Sequence, residues 1–398
     1  MRLERKGSAL VLAACLAVLV GCVGENQAAS AANADPIRKG GDGRYGEYTS
    51  APTSWWKPAP NHTSLEACRG DGMETCVRWG QVSGLVAVDP NRILVGITGD
   101  FGPPEKPTKN YIVGVNANGE MVENWTQWDT MVAFPHQLYI NPYDPERHIW
   151  VVDRGGDHDG LQIHEQIFKF TNDAKQVVLR LRDPNPRQSD AEVMANQPPG
   201  PLDFGQASTL AFLPNGDFLL GDGYQNGRIA RYNAQGEHLS DFGTPGEGPG
   251  QFDLIHGIAV DKQHRIYVSD RDNNRIQIFQ EDGTLIEEWP DIQGPTGIYI
   301  DDREHVWVLS TTLNGITMYN LQGQLMHRFG AYCCTRGGFE GGLSRPHQMS
   351  RDSEGNIYIA NYDPGLPGVQ PGGYVTKYMP RPDANPEFLV GPPLMLEN

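Results

Sequence analysis

The sequence predicts an all-β protein, a six-bladed β-propeller, on two observations. One strand-turn-strand pattern recurs six times, and each copy alternates apolar with polar residues at period two. The copies run SGLVAVDPNRILVG from Ser83, HQLYINPYDPERHIWVVD from His136, STLAFLPNGDFLLGD from Ser208, HGIAVDKQHRIYVSD from His256, TGIYIDDREHVWVLS from Thr296 and HQMSRDSEGNIYIAN from His347. Their β-branched and aromatic residues make strands, and the Asp, Asn and Gly turns between them make the strands antiparallel. Most copies continue into a third strand, such as RIARYN from Arg228 or RIQIFQ from Arg275, and a fourth, such as LIEEW from Leu285. Four strands at a period of roughly 40 to 70 residues make a propeller blade.

From the N-terminus, Arg2, Arg5 and Lys6 precede the apolar run Ala9 to Val20, and Leu19-Val20-Gly21-Cys22 matches a lipobox. Residues 1–21 are therefore expected to be an export signal, and Cys22 the lipidated residue that tethers the protein to a membrane at the periplasmic or extracellular face of the envelope. The run is shorter than the roughly 20 apolar residues a spanning helix needs. Residues 22–52, rich in Ala, Asn and Gly, read as a flexible stalk, and the propeller is expected over residues 53–398. A propeller closes when one blade takes strands from both chain ends, and the segment from Thr53 to Arg78 is the candidate for the closing strand. The formal charge of -17 argues against nucleic acid as a partner, which calls for a basic face. Cys68, Cys76, Cys333 and Cys334 remain after the signal and the lipidation site. An oxidising compartment favours disulfides, with three pairings open.

The six copies also place chemistry. His136, His256 and His347 open alternate copies, so in a closed ring they lie about 120° apart around the axis and converge. Three neutral imidazoles suit zinc and leave a fourth position for a substrate oxygen, as catalytic zinc requires. Ser83, Ser208 and Thr296 fill the other three slots and leave space around the axis. The first strand of each blade runs away from the histidine face and the second returns, which brings Arg154, Tyr224 and Arg271 back to it. His158 and His164, in a loop on that face, are candidates to orient the ligands. Arg228 and Arg275 recur at the start of third strands and read as structural.

The blades resemble NHL repeats, most clearly in IHGIAVDKQHRIYVSDRDNNRIQIFQEDG from Ile255 to Gly283. Further strings resemble the peptidyl-α-hydroxyglycine α-amidating lyase family: GQVSG from Gly80, FPHQL around His136, DGYQNGRI from Asp222, DRDNNRIQ from Asp270 and RPHQM around His347. The resemblance implies a six-bladed propeller with His136, His256 and His347 as zinc ligands, Tyr224 as the catalytic tyrosine and Arg271 as an active-site arginine. The reaction it implies cleaves the C–N bond of an N-acyl-α-hydroxyglycine to a primary amide and glyoxylate, with a peptide or a small molecule as the substrate. Tyr224 would take the hydroxyl proton, and Arg271 would stabilise negative charge.

The chain departs from the family in three places. Thr98 stands where the family has an arginine, and Arg154 on the neighbouring blade is the candidate replacement, against a surface salt bridge with Asp153 or Asp157. Gln348 stands where the family's calcium site has an aspartate. Its amide oxygen, with backbone carbonyls near Leu85 and Leu138, would hold Ca2+ more weakly for want of the charge. The cysteines are the chain's own. Cys68 and Cys76 precede the first blade and Cys333 and Cys334 lie in the loop entering the last, so disulfides between these loops, or a Cys68–Cys76 bridge with a vicinal pair, would sit at the ring's seam. A thiol-metal site is a third reading. No residues are left for the hydroxylase of two-domain relatives. Two other functions compete with the lyase: a non-catalytic NHL propeller that binds a peptide or envelope partner, and a lactonase-type hydrolase, which the three-histidine axis disfavours.

Overall fold

The computed structural model describes residues 46–52, 55–56, 81–97, 111–158, 161–185, 189–195, 197–330, 342–362 and 373–396. The export signal, Cys22, most of the expected stalk, Thr98 and Cys68, Cys76, Cys333 and Cys334 lie outside them. Within the described residues the chain forms six four-stranded antiparallel sheets. Blade 1 begins at Val82–Asp89, blade 2 at Pro135–Ile140, blade 3 at Thr209–Phe212, blade 4 at Ile255–Val260, blade 5 at Pro295–Ile300 and blade 6 at Pro346–Arg351. These six innermost strands are the ones that the repeats predict.

Alternation explains the packing. Each strand sends every second side chain toward a neighbouring blade, so the core is divided into apolar clusters, one at each blade-blade interface. Val151 and Phe168 of blade 2, for example, meet Leu94 and Ile112 of blade 1, while Val152 and Ile167 point the other way onto Leu220 and Tyr232 of blade 3. No blade buries both faces alone, which is why the ring must close.

Closure comes from upstream of where it was expected. Tyr48–Ser50, inside the stretch assigned to the stalk, is the outer strand of blade 6 and pairs with Tyr374–Pro380. A three-residue strand carries too little period-two signal to stand out among polar residues. What holds it is tertiary: the Tyr48 ring is buried against Phe329 and Tyr378, and its hydroxyl accepts from Val390 N at 2.7 Å. Downstream, the Trp55 indole donates to Ala117 O at 2.7 Å and ties the same segment to blade 1.

On the face opposite the histidines, the C-terminal segment crosses several blades. Gly391 N donates to Asp301 Oδ2, Leu394 N to Ile300 O and Leu396 N to the Tyr143 hydroxyl. Beneath this segment the axis opens into a cavity of about 590 Å³ walled by apolar inner-strand residues such as Val86, Ile140, Ile258 and Met349, reaching up to Gln137, Gln348 and His256.

Candidate metal centre and its collar

The three axial histidines meet. His136, His256 and His347 are 1%, 0% and 5% exposed, their ring centroids lie 4.4 to 5.0 Å apart, and one ligand nitrogen from each falls within 4.8 Å of the others. Burial, reinforced by the neighbouring imidazoles and Arg154, holds His136 far below the ordinary histidine range. Burial followed by His347 and Arg271 does the same for His256, and His347 is pushed down to about 3. All three rings are therefore neutral, the form that ligates a metal.

A closed ring of hydrogen bonds sets their orientation. His136 Nδ1 donates to Ser208 O at 2.8 Å, His256 Nδ1 to Thr296 O at 2.9 Å and His347 Nδ1 to Ser83 O at 2.6 Å. A carbonyl can only accept, so the proton sits on Nδ1 and each Nε2 presents a lone pair. The alternate slots complete the circle: Ser83 Oγ donates to Pro135 O, Ser208 Oγ to Ile255 O and Thr296 Oγ1 to Pro346 O, each the carbonyl just before a histidine. Every blade thus donates to the next. The small polar residues do more than leave space, because they space and aim the imidazoles.

Around this layer stands a collar built by one repeated backbone hydrogen bond. The residue after the second strand, or in blade 3 the second residue after it, donates its N–H to the residue two positions before the axial slot: Arg154 to Phe134, Tyr224 to Gln206, Arg271 to Leu254, Thr311 to Gly294 and Tyr362 to Arg345. The Tyr224 hydroxyl lies 3.2 Å from His136 Nε2 and 3.1 Å from His256 Nε2. Its single proton can satisfy only one of these two lone pairs. A cation at this point would take both, so the donor set fits zinc.

Arg154 is buried, not at the surface. Its guanidinium lies 3.7 Å from the Tyr224 ring centroid and 5.0 Å from that of Phe134, and it donates to Gln206 Oε1. Asp153 spends its carboxylate on Phe134 N, Ala133 N and Gln166 instead. Arg271 stands 5.7 Å from the Tyr224 ring and pairs with Asp272 at 2.7 Å. Arg228 and Arg275 are structural, as expected, each paired with its blade's strand-end aspartate, Asp222 or Asp270. His164 Nδ1 bonds to Asp183 O, and the side chain of His158 is outside the described residues.

The calcium set does not fit. Gln348 Oε1 accepts from Leu85 N at 2.9 Å and Leu138 N at 3.1 Å, and its Nε2 donates to Leu138 O at 2.7 Å. Leu85 turns its N–H toward the amide, and the Leu138 carbonyl is taken by an amide proton, so the neutral side chain satisfies its own polar atoms at this position.

Tyr362 was missed in the sequence. Its ring stacks on His347 with centroids 5.6 Å apart and planes 26° apart. Burial, then the nearby Tyr224, raises its hydroxyl above the ordinary phenol range. The signal was available, since Tyr362 follows Asn361 as Arg154 follows Asp153 and Arg271 follows Asp270.

Comparison with known proteins agrees with this architecture. The family model described as NHL repeat matches residues 252–279, inside blade 4 and its approach. The described residues form a six-bladed propeller, and one of its blades matches the NHL repeat. The chain is 24% identical to mouse NHL repeat-containing protein 3 over 48% of its own length and 53% of that protein, so it spans about half of that relative. It is 25% identical to peptidyl-alpha-hydroxyglycine alpha-amidating lyase 1 of Drosophila melanogaster, over 62% of this chain and 46% of that one. A probable amidating lyase, pgal-1 of Caenorhabditis elegans, is 24% identical over 72% of this chain and 81% of its own length. Among solved structures, a Bacteroides thetaiotaomicron protein of unknown function superposes with TM-score 0.50 at 12% identity, over 83% of this chain and 76% of that one, a likeness of fold.

Proposed function

We propose that this NHL-repeat propeller is a zinc-dependent lyase that cleaves the C–N bond of an N-acyl-α-hydroxyglycine, giving a primary amide and glyoxylate. The observation that carries the reading is the Tyr224 hydroxyl within 3.2 Å of two neutral histidine nitrogens while the Arg154 guanidinium lies 3.7 Å over its ring. His136, His256 and His347 would hold the zinc, which when bound supplies Lewis acidity toward the substrate's hydroxyl oxygen. Tyr224, in its deprotonated form, accepts the hydroxyl proton, the C–O bond becomes the aldehyde C=O of glyoxylate, the C–N bond breaks, and Tyr224 returns the proton to the leaving group. The departing amide nitrogen takes a proton, so the atoms balance without water. Arg154 and Arg271 stabilise the negative charge that passes through the phenol and the substrate carboxylate. Arg154 supplies from blade 2 the positive charge that Thr98 cannot supply from blade 1.

The relatives named amidating lyases support the reaction class, and the chain's own collar supports the roles. Cys22 lipidation would hold the propeller at the envelope, facing exported peptides or small amides. The test is metal analysis of the purified propeller together with glyoxylate release from N-acyl-α-hydroxyglycines. Stoichiometric zinc with turnover is expected. Zinc without turnover on a panel of such amides would favour a binding propeller, and a protein that takes up no zinc would overturn the reading.

A further inference from the structure

Two non-glycine residues with left-handed backbone, Gln206 (φ 59°) and Arg345 (φ 45°), are acceptors in the collar, and of the two Gln206 is the buried one. Such a conformation costs a residue with a Cβ energy that glycine does not incur, and it persists only where the surroundings impose it. Here the surroundings are three buried carboxylates. Asp183 Oδ2 accepts from Phe204 N at 2.8 Å, Asp222 Oδ1 from Gly205 N at 2.7 Å and Glu165 Oε2 from Ala207 N at 3.2 Å. All three are 3% exposed or less. They clamp the backbone on both sides of Gln206.

The clamped conformation turns two acceptors of one buried residue onto two members of the site. Gln206 Oε1 accepts from Arg154 Nη2, and Gln206 O accepts from Tyr224 N at 3.4 Å. We infer that Gln206 is a positioning residue, which holds the Arg154 guanidinium over the Tyr224 ring and so fixes the distance between that charge and the reacting oxygen. Its chemistry suits the task. A neutral amide accepts from the guanidinium without adding a negative charge beside it, whereas a carboxylate here would pair with Arg154 and weaken its field over the phenol. Glycine fills the equivalent collar slot in blade 5, and what the Gln206 side chain adds at this one is its contact with Arg154.

The inference rests on the lyase reading only in its kinetic readout, and the test separates the two. Gln206→Gly, Gln206→Glu, Arg154→Ala and the Gln206→Gly/Arg154→Ala double variant are compared with wild type for zinc content, thermal unfolding and glyoxylate release. Zinc content is expected to stay level throughout. Gln206→Gly and Gln206→Glu should each lower kcat about tenfold or more with KM little changed, and Gln206→Gly should add less than about twofold in the Arg154→Ala background, as residues acting through one another do. A Gln206→Gly enzyme within twofold of wild type, or two losses that multiply, would overturn the inference. If wild type releases no glyoxylate, the lyase reading fails by itself and Gln206 is judged from unfolding. The Tm shift caused by Gln206→Gly must then differ between the wild-type and Arg154→Ala backgrounds, and equal shifts refute the pairing.

Discussion

Gln348→Asp tests whether an amide has replaced a cation on the propeller axis. The wild-type side chain makes three hydrogen bonds, at 2.9, 3.1 and 2.7 Å, from blade 6 to the backbones of blades 1 and 2. Aspartate keeps an acceptor but loses the donor to Leu138 O, and it sets a negative charge against that carbonyl in a position only 8% exposed. An uncompensated buried charge beside an unsatisfied carbonyl costs about 3 to 5 kcal/mol. At roughly 2 to 4 °C per kcal/mol for a large domain, Tm should fall by about 10 °C. The same charge creates an oxygen site of the kind Ca2+ prefers, and an ion at a hundred times its Kd returns about 2.7 kcal/mol. The assay is thermal unfolding of wild type and Gln348→Asp in EDTA and in millimolar CaCl2. Wild type should be indifferent to the ion, and the variant should be weak in EDTA and recover most of its loss in calcium. A wild-type Tm that rises with calcium would refute the reasoning, because the amide would then be a ligand rather than a substitute.

The other predictions concern the histidine face. Arg154→Ala should reduce kcat by about 10² to 10³ with zinc retained, the usual effect of removing one preorganised charge, while Arg154→Lys, which keeps charge but loses the planar guanidinium, should fall between; near-normal turnover in Arg154→Ala would exclude it as the replacement for the missing arginine. Tyr362→Ala should weaken zinc retention against a competing chelator about tenfold, whereas Tyr362→Phe, which keeps the ring stacked on His347, should not. In zinc-free protein, burial depresses all three histidines, so the folded state binds fewer protons than the unfolded state below the ordinary value of 6.5. Stability is then fully present above pH 6.5 and is lost as pH falls, by about 1.4 kcal/mol per pH unit for each histidine. Urea unfolding between pH 7 and 5 should show this slope, reduced by a third in His347→Gln; a flat profile would mean the rings are not buried neutral.

Much of this was legible because propeller blades repeat. Period-two alternation marks each inner strand, and the repeat itself aligns slots, so His136, His256 and His347 could be placed on one axis and Arg154, Tyr224 and Arg271 on one face. Tyr362 was equally alignable. Gln206 was not, because its role depends on a backbone angle imposed by Glu165, Asp183 and Asp222, which reach the loop from blade 2 and blade 3. The closing strand at Tyr48 escaped for a similar reason, since three residues carry almost no pattern and their place is decided by Phe329 and Tyr378.

What the sequence determined by itself is therefore what is local or periodic: strands, turns, blade number, and which residues start or end a strand. What only the tertiary structure decided is how groups from different blades meet. The ring of donors linking each axial slot to the next, the guanidinium of Arg154 lying on Tyr224, and the Gln348 amide standing where a cation was expected are all contacts between blades. Their distances and donor directions depend on ring closure, which no single repeat encodes.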